Sequence, residues 1–190
     1  MKKSLGAQTI LFPTPVWIVC SYDAHDKPNG MAVAWGGVCC SEPPCVTVSL
    51  RKATHSYGSI MTRKAYTVNV LSEDRIEAAD YFGIASGRDH DKFADTGLTA
   101  VKSDLVDAPY IAEAPLVLEC RLKQTVELGL HTQFIGEIVD VKVEESALDE
   151  KGAPDVTKIK PVIYAPKRRA YYGLGRYLGD AYVIGKTYKK

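Results

Sequence analysis

Residues 49 to 57 carry the side chains that an anion-binding corner needs. The segment reads Ser-Leu-Arg-Lys-Ala-Thr-His-Ser-Tyr, which places a cation at Arg51 and hydroxyls at Thr54 and Ser56. Thr54 can cap a short helix, and the free backbone N–H groups at a helix start favour a phosphate or a similar anion. Arg51, Thr54 and Ser56 are therefore candidate phosphate ligands. A capped helix after a polar strand would give the same pattern, and the segment alone favours neither interpretation.

A run of small residues precedes this corner in the chain. Met31-Ala-Val-Ala-Trp-Gly-Gly37 offers alanines and glycines, which let a backbone approach a flat ring closely. A flavin mononucleotide (FMN) would use both features, because its phosphate needs cationic and hydroxyl donors and its ring needs a flat, mostly apolar bed. A glycine-containing strand that lies beneath another strand is the alternative explanation of this run.

Two side chains are candidates to stack on such a ring or to control access to it. Trp35 lies within the small-residue run, although a core or dimer-interface role suits a single tryptophan as well. His131 follows Gly129-Leu130 at the start of a predicted strand, where it could contact the flavin or a nicotinamide. A surface or capping role for His131 fits the sequence to the same degree.

The adjacent Cys39 and Cys40 form a second candidate site. One or both thiols could lie beside a flavin and relay electrons, form a labile disulfide or bind a soft or borderline metal such as zinc or iron. Neighbouring side chains point to opposite faces of an extended strand, so joint binding of one ion would require a bend. Two buried, inert thiols are the alternative. Cys40 is thus a candidate catalytic residue, and Cys39 with Cys40 are candidate metal ligands.

These candidates must be positioned by a series of short strands and a few helices. Apolar and polar residues alternate clearly at 45–51, and turn residues at 23–30 and 41–44 separate the early strands. The predicted strands are 15–22, 31–39, 45–51, 65–71, 116–128 and 132–145, with strand-like pieces in the tail at 161–190. The predicted helices are 54–63 and 73–82, and a loop is predicted at 83–95. This pattern predicts a mainly β fold, an antiparallel barrel with helical insertions.

Composition and charge are those of an ordinary soluble globular protein. The 190 residues suit one domain, and 24 Lys and Arg balance 23 Asp and Glu, so no strong field favours nucleic acid. No apolar stretch approaches the roughly 20 residues that cross a bilayer, and prolines at 13 and 15 interrupt the leader-like start. Five cysteines without C-x-x-C spacing indicate reduced thiols. We expect a cytoplasmic protein without nucleic-acid or membrane partners.

Several motifs, taken in their order along the chain, resemble the flavin reductase-like family. The run from Asn29 to Arg51 resembles its small-residue strand, its S-x-x-P-P turn and the strand that ends at its phosphate site. Later motifs are also similar, and the last of the three has Leu130 in place of an acid. They are Tyr66-Thr-Val-Asn-Val-Leu, Ser86-Gly-Arg-Asp-His-Asp-Lys-Phe93 and Leu128-Gly-Leu-His-Thr-Gln-Phe-Ile-Gly-Glu137.

The resemblance implies an antiparallel split β-barrel with Greek-key topology and a few short helices, which binds FMN near the interface of a homodimer. It implies that Arg51, Thr54 and Ser56 hold the phosphate, and that His131 lies near the reactive face of the ring. The other residues that it assigns to the cofactor site are Asn29, Met31, Ala32, Val33, Ala34, Trp35, Ser41, Lys92 and Phe93.

Three functions are compatible with this resemblance. An oxidoreductase would take electrons from NAD(P)H and pass them through FMN to free flavin or ferric iron. An electron carrier would exchange electrons with protein partners without nicotinamide turnover. A flavin-binding module without catalysis is the third. The extended phosphate site favours tightly held FMN, and so favours a carrier or a ferric reductase over a shuttle of free flavin.

Overall fold

Short strands dominate the part of the chain that is described, residues 1–188 of this computed structural model. They form where β-branched and aromatic residues alternate with polar ones or follow one another directly. The strands are β1 (Thr14–Pro15), β2 (Trp17–Tyr22), β3 (Pro28–Val33), β4 (Gly36–Ser41), β5 (Pro44–Arg51), β6 (Ala65–Val70), β7 (Ala100–Lys102), β8 (Pro109–Ile111), β9 (Leu116–Leu128), β10 (His131–Val143), β11 (Ile163–Ala165) and β12 (Ala170–Tyr172). The helices are α1 (His55–Arg63), α2 (Ile76–Ile84), α3 (Lys92–Thr96) and α4 (Val156–Ile159), with 3₁₀ turns at Glu73–Arg75, Glu145–Ala147 and Ile184–Tyr188.

Seven strands form one antiparallel sheet in the order β3-β2-β6-β9-β10-β5-β4. β3 and β4 lie at opposite edges of this sheet, yet only Ala34 and Trp35 separate them in the chain. The sheet must therefore curl until its edges approach each other. The Ser49 N–H donates to the Trp35 carbonyl at 2.8 Å, which extends the β4–β5 pairing to the short connection from β3. The predicted mainly β, antiparallel barrel is confirmed.

The curled sheet encloses an apolar core. Three strands separate Val19 on β2 from Val48 on β5 in the sheet order, but both residues belong to one buried cluster with Phe134. The Tyr66 hydroxyl is also inside, where it donates to a backbone carbonyl at 3.2 Å. Gly136 makes room for this ring, because a Cβ at Gly136 would lie 2.7 Å from the Tyr66 Cζ.

Helices α2 and α3 cover the outer face of β2 and β3. The rings of Phe82 on α2 and Phe93 on α3 meet edge to face with centroids 5.4 Å apart. α2 approaches β3 so closely that a Cβ at Gly30 would lie 2.8 Å from the Phe82 ring. This packing fixes the position of α2 beside β3, where the candidate site lies.

The structure corrects several predicted element boundaries. The single strand predicted at 31–39 is wrong, because the chain leaves β3 after Val33 and re-enters the sheet at Gly36 on the opposite edge. Gly36 is required there, since a Cβ would lie 2.6 Å from the Trp17 ring. The predicted turn at 23–30 ends earlier, because 28–30 already belong to β3. The loop predicted at 83–95 contains the start of α3, which the Asp91 side chain caps by accepting from the Ala94 N–H at 3.3 Å.

The remaining predicted elements agree with the structure, with small shifts at their ends. The strand predicted at 15–22 corresponds to β1 and β2, and that at 132–145 to β10. The β7–β8 hairpin is an element that the sequence analysis did not predict. In the tail, β11 and β12 are the strand-like pieces, followed by a 3₁₀ turn, and residues 189–190 of that prediction lie outside the described residues.

Candidate functional site

A continuous groove runs along β3 between α1, α2 and the β11–β12 hairpin. It consists of three cavities of about 250, 260 and 280 Å³ that share lining residues. The 250 and 260 Å³ cavities share residues 32–34 and Tyr164, and Ile84 joins the 260 Å³ cavity to the 280 Å³ cavity. Met31 and Thr54 join the 280 Å³ cavity to the 250 Å³ cavity. We call this continuous space the β3 groove.

The floor of the β3 groove is the segment that the sequence analysis assigned to a ring bed. Ala32 and Ala34 contribute only methyl groups, and a Cβ at Gly83 of α2 would lie 3.3 Å from the Ala32 Cβ. Val33 is 4 % exposed because its side chain belongs to the barrel core. The floor is therefore small, apolar and rich in accessible backbone, which suits a flat heterocycle.

The first turn of α1 forms one wall of the groove. Thr54 is the N-cap residue, but its hydroxyl donates to the Arg51 carbonyl at 2.8 Å and does not cap the helix N–H groups. Ser56 is 1 % exposed, and the Asn29 amide donates to its Oγ at 3.0 Å. The Tyr57 N–H donates to the Thr54 carbonyl at 3.3 Å, and no side chain caps the N–H groups of His55 and Ser56, at the helix end whose dipole favours an anion.

Two arginines flank this helix start. The Arg88 Nη1 donates to the Ala53 carbonyl at 3.1 Å, which holds the guanidinium beside the first turn of α1. Arg88 lines the same cavity as Thr54 and Ser56, and Arg51 lines the adjoining cavity on the other side of Thr54. We call Arg51, Thr54, Ser56 and Arg88 the cationic corner.

Tight packing of the loop after α2 brings Arg88 to this position. A Cβ at Gly87 would lie 2.8 Å from the Asn29 Cγ and 3.1 Å from the His55 Cδ2. His55 lies 3.8 Å from the Asp23 carboxylate through its Nε2, which is buried without a hydrogen-bond partner among residues 1–188. The Asp23 carboxylate that this nitrogen approaches is not among the residues that line the three cavities.

Lys92 lies at the inner end of the same cavity. It is 4 % exposed, and its ammonium donates to the carbonyls of Phe82 at 3.2 Å and Ala85 at 3.3 Å. Burial lowers the pKa of Lys92 from 10.5 to about 8, and the nearby Cys20 thiol acts weakly in the opposite direction. The Lys92 ammonium therefore loses its proton near pH 8, just above neutrality.

The opposite end of the β3 groove contains His131 and Trp35. His131 opens β10 and is the cross-strand partner of Arg51 on β5. Both His131 and Trp35 are half-buried and line the 250 Å³ cavity above the ring bed. The predicted gating candidates therefore share one cavity with the predicted bed.

Four other candidate residues lie elsewhere. Ser41 is exposed at the tip of the β4–β5 hairpin, and Cys39 and Cys40 are exposed on the same edge strand. Phe93 is buried in the core against α2. Among residues 1–188, no group of three or more His, Cys, Asp or Glu side chains is arranged to hold a metal ion. A larger cavity of about 640 Å³ lies between residues 7–10 and Lys167, away from all of these candidates.

The structure adds residues that the sequence analysis did not select. Arg88 lies inside the family-like motif at residues 86–93, where a cation that follows two small residues is the available signal. Tyr164 and Tyr171 form a wall of the groove, with ring centroids 5.6 Å apart. The Tyr171 hydroxyl donates to the Asp80 carboxylate at 2.6 Å. These contacts join the tail to α2, and no local pattern in the sequence marks them.

Comparison with known proteins identifies the family. Residues 9–174 match the model of the flavin reductase like domain. The chain belongs to the flavin reductase-like family. It is 52 % identical to the solved flavoredoxin of Desulfovibrio vulgaris (Miyazaki F), with a TM-score of 0.94 and coverage of 98 % of this chain and 100 % of that one. The family predicted from the sequence motifs, with its split-barrel fold, is confirmed.

Some curated relatives of this flavin reductase-like chain have redox names. It is 32 % identical over 120 residues to the high molecular weight rubredoxin of Moorella thermoacetica, covering 62 % of this chain and 51 % of that protein. The chain thus spans about half the length of that relative. It is 31 % identical to the reductase component of 4-nitrophenol 4-monooxygenase/4-nitrocatechol 2-monooxygenase of Rhodococcus opacus, covering 69 % and 66 % of the two chains. Among residues 1–188, none of the helices has the length and apolar character that a bilayer crossing needs.

Proposed function

We propose that this protein holds FMN in the β3 groove and passes electrons through it, with flavin or ferric reductase-type activity that uses NAD(P)H. One observation carries the proposal: a flat, small-residue floor runs directly into a helix start whose N–H groups are uncapped and flanked by two arginines. A ring and a phosphate joined by a short chain need these two surfaces at a fixed separation in one groove.

The residues of the groove fit such a ligand. The cationic corner would hold the phosphate through charge-assisted hydrogen bonds from Arg51 and Arg88, the hydroxyls of Thr54 and Ser56, and the N–H groups of α1. The Lys92 ammonium would add positive charge to the same cavity. Backbone of residues 31–35 would lie against the ring, and the half-buried Trp35 and His131 would limit the access of water. Bound FMN would supply hydride acceptance and electron release, which no side chain of this protein offers.

Use of a nicotinamide as electron donor is the second part of the proposal. The groove is open along its length, so a donor ring has room beside the bed near His131. The Rhodococcus relative is named as the reductase component of a monooxygenase, which supports a reductase role by similarity. His131 would act by positioning the donor or the ring, since it lines the cavity above the bed.

A pure electron carrier is the alternative function. The 52 % identity with a flavoredoxin over nearly the whole of both chains favours it. In a carrier, the cationic corner would keep FMN bound while electrons pass to protein partners at the open side of the groove. The two functions share one cofactor site and differ in nicotinamide turnover.

We also propose that the protein is a homodimer in the cytoplasm. Leu128 and Leu130 at the β9–β10 turn are 57 % and 66 % exposed. A second subunit that covered these side chains would remove their apolar surface from water. Light scattering after gel filtration should give twice the chain mass of 20.8 kDa. A monomer at micromolar concentration would contradict this part of the proposal.

A visible spectrum of the purified protein is the first test of the flavin proposal. We expect a yellow protein with about one FMN per subunit, the stoichiometry of a single ligand groove. Replacing Arg51 by Ala should weaken FMN retention, and unchanged retention would mean that the phosphate lies elsewhere. Lys102→Ala, an exposed change on β7 away from the groove, is the matched loss of one cation and should leave retention unchanged.

An NAD(P)H oxidation assay separates the reductase from the carrier. The FMN-loaded protein is mixed with NADH or NADPH, with and without free FMN or Fe(III). Turnover that depends on an added acceptor supports the reductase. No turnover with either acceptor refutes the reductase and leaves the carrier, provided that the bound FMN can still be reduced chemically and reoxidised by an electron-accepting protein.

A further inference from the structure

A β-bulge brings three cysteines together at the outer end of the β4–β5 hairpin. The register shifts between Val38 and Cys40, so Cys39 is the extra residue and both Cys39 and Cys40 lie opposite Cys45. Neighbouring residues of a regular strand would point to opposite faces. The bulge therefore supplies the bend that two adjacent cysteines need in order to act on one partner.

We propose that Cys45 forms a reversible disulfide with one of the two bulge cysteines. Cys40 is its Cα partner in the ladder. Paired residues of antiparallel strands have Cα atoms about 4.5–5.5 Å apart, which is inside the range of about 4.4–6.8 Å found for disulfides. This modification site lies outside the β3 groove and does not depend on the proposed flavin function.

The three thiols are close enough to influence one another. Burial raises the pKa of the Cys39 thiol, and the Cys45 and Cys40 thiols raise it further, in that order. Cys39 and Cys40 are exposed, whereas Cys45 is only 3 % exposed. An external oxidant therefore reaches a bulge cysteine first, and Cys45 attacks afterwards from within the protein.

The chemistry balances with a low-molecular-weight disulfide, RSSR, as oxidant. A bulge cysteine loses its proton and attacks one sulfur of RSSR, which breaks the S–S bond, forms a mixed disulfide and releases RS⁻. The Cys45 thiolate then attacks the protein sulfur of the mixed disulfide and releases the second RS⁻. Two protein thiols have lost two electrons and two protons, and the oxidant has become two RSH.

The new bond would tie down an edge strand. β4 is hydrogen-bonded on one side only, to β5, because it ends the order of the seven-stranded sheet. A covalent link at the outer end of the hairpin holds β4 against β5, the strand whose other end carries Arg51. The free cysteines of the reduced protein would leave this edge held by hydrogen bonds alone.

Thiol counting in glutathione redox buffers tests the proposal. The full-length protein is equilibrated with mixtures of reduced and oxidised glutathione, quenched with acid, unfolded and alkylated, and the free thiols are counted by mass. The wild type has five cysteines and should lose two free thiols as the buffer becomes oxidising. Cys39→Ser and Cys40→Ser should each still lose two, because the other bulge cysteine remains opposite Cys45.

Two variants should lose no free thiols. One is Cys45→Ala. The other is the double variant Cys39→Ser with Cys40→Ser, which changes only exposed positions and so keeps the test valid if Cys45→Ala fails to fold. Cys20→Ala changes a buried cysteine on β2, packed with Phe82 and Phe93 away from the β4–β5 hairpin; it is the matched control and should lose two free thiols. Loss of two thiols by Cys45→Ala would assign the bond to the adjacent pair and overturn the proposal. Five free thiols at every ratio, a lasting glutathione adduct or a covalent dimer would also overturn it.

Discussion

Adding one methyl group at Gly87 should damage the candidate site and the fold together. A Cβ there would lie 2.8 Å from the Asn29 Cγ, closer than real Cβ contacts, and 3.1 Å from the His55 Cδ2, which is a crowded contact. In Gly87→Ala the Asn29 side chain must therefore rotate away, and its 3.0 Å hydrogen bond to Ser56 breaks. Asn29 and Ser56 are both buried, so the broken bond leaves unpaired polar groups inside the protein.

The size of the effect follows from these contacts. Leaving a buried donor or acceptor unpaired costs about 1–3 kcal/mol. For a chain of this length, 1 kcal/mol shifts Tm by roughly 2–4 °C, so Tm should fall by roughly 2–12 °C. Because Ser56 belongs to the cationic corner and His55 precedes it on α1, the FMN dissociation constant should rise at least about tenfold, equivalent to about 1.4 kcal/mol.

Differential scanning fluorimetry of the FMN-free protein measures Tm, and fluorescence titration measures FMN binding. The matched control is Gly58→Ala on the exposed side of α1, where a Cβ has no neighbour within 4 Å. This control should leave binding unchanged and raise stability by up to about 1 kcal/mol, because alanine is the better helix former. Equal Tm and equal binding in the two variants would refute the packing argument. A lower Tm with unchanged binding would refute the assignment of the phosphate to this corner.

Three further variants test separate parts of the account. Arg88→Gln should raise the FMN dissociation constant about ten- to hundredfold, because hydrogen bonds to charged groups contribute about 1.5–3 kcal/mol. Riboflavin has no phosphate and should bind Arg88→Gln and the wild type alike; an equal loss for both ligands would place the phosphate elsewhere. Burial lowers the pKa of Lys92 from 10.5 to about 8, so FMN affinity should weaken as pH rises through about 8, and Lys92→Met should abolish this dependence. The same lowered pKa means that the buried ammonium destabilises the fold at neutral pH. The free energy of unfolding of the wild type, relative to that of Lys92→Met, should therefore increase from pH 7 to 10. Parallel pH profiles of the two proteins would contradict this. Gly136→Ala should crowd the buried Tyr66 ring, cost about 1–3 kcal/mol and lower Tm without changing FMN affinity, as thermal denaturation and titration will show.

Local patterns in the sequence determined most of the elements. The alternation at residues 45–51 and the long strand at 116–128 correspond to β5 and β9, because a strand's side-chain period is visible in a single run of residues. Thr54 predicted the start of α1, and the small residues at 31–35 predicted the floor of the groove. The order of the motifs was specific enough to indicate the family. These features depend on neighbours along the chain, which the sequence contains directly.

Only the tertiary structure decided which side chains meet. The chain crosses from one edge of the sheet to the other at Ala34 and Trp35, and a run of residues contains no signal for where a barrel closes. Arg88 reaches the start of α1 because Gly87 packs against Asn29, a contact between segments far apart in sequence. Contacts of this kind are set by the closure of the sheet and by helix packing on it, so they exist only once the chain has folded.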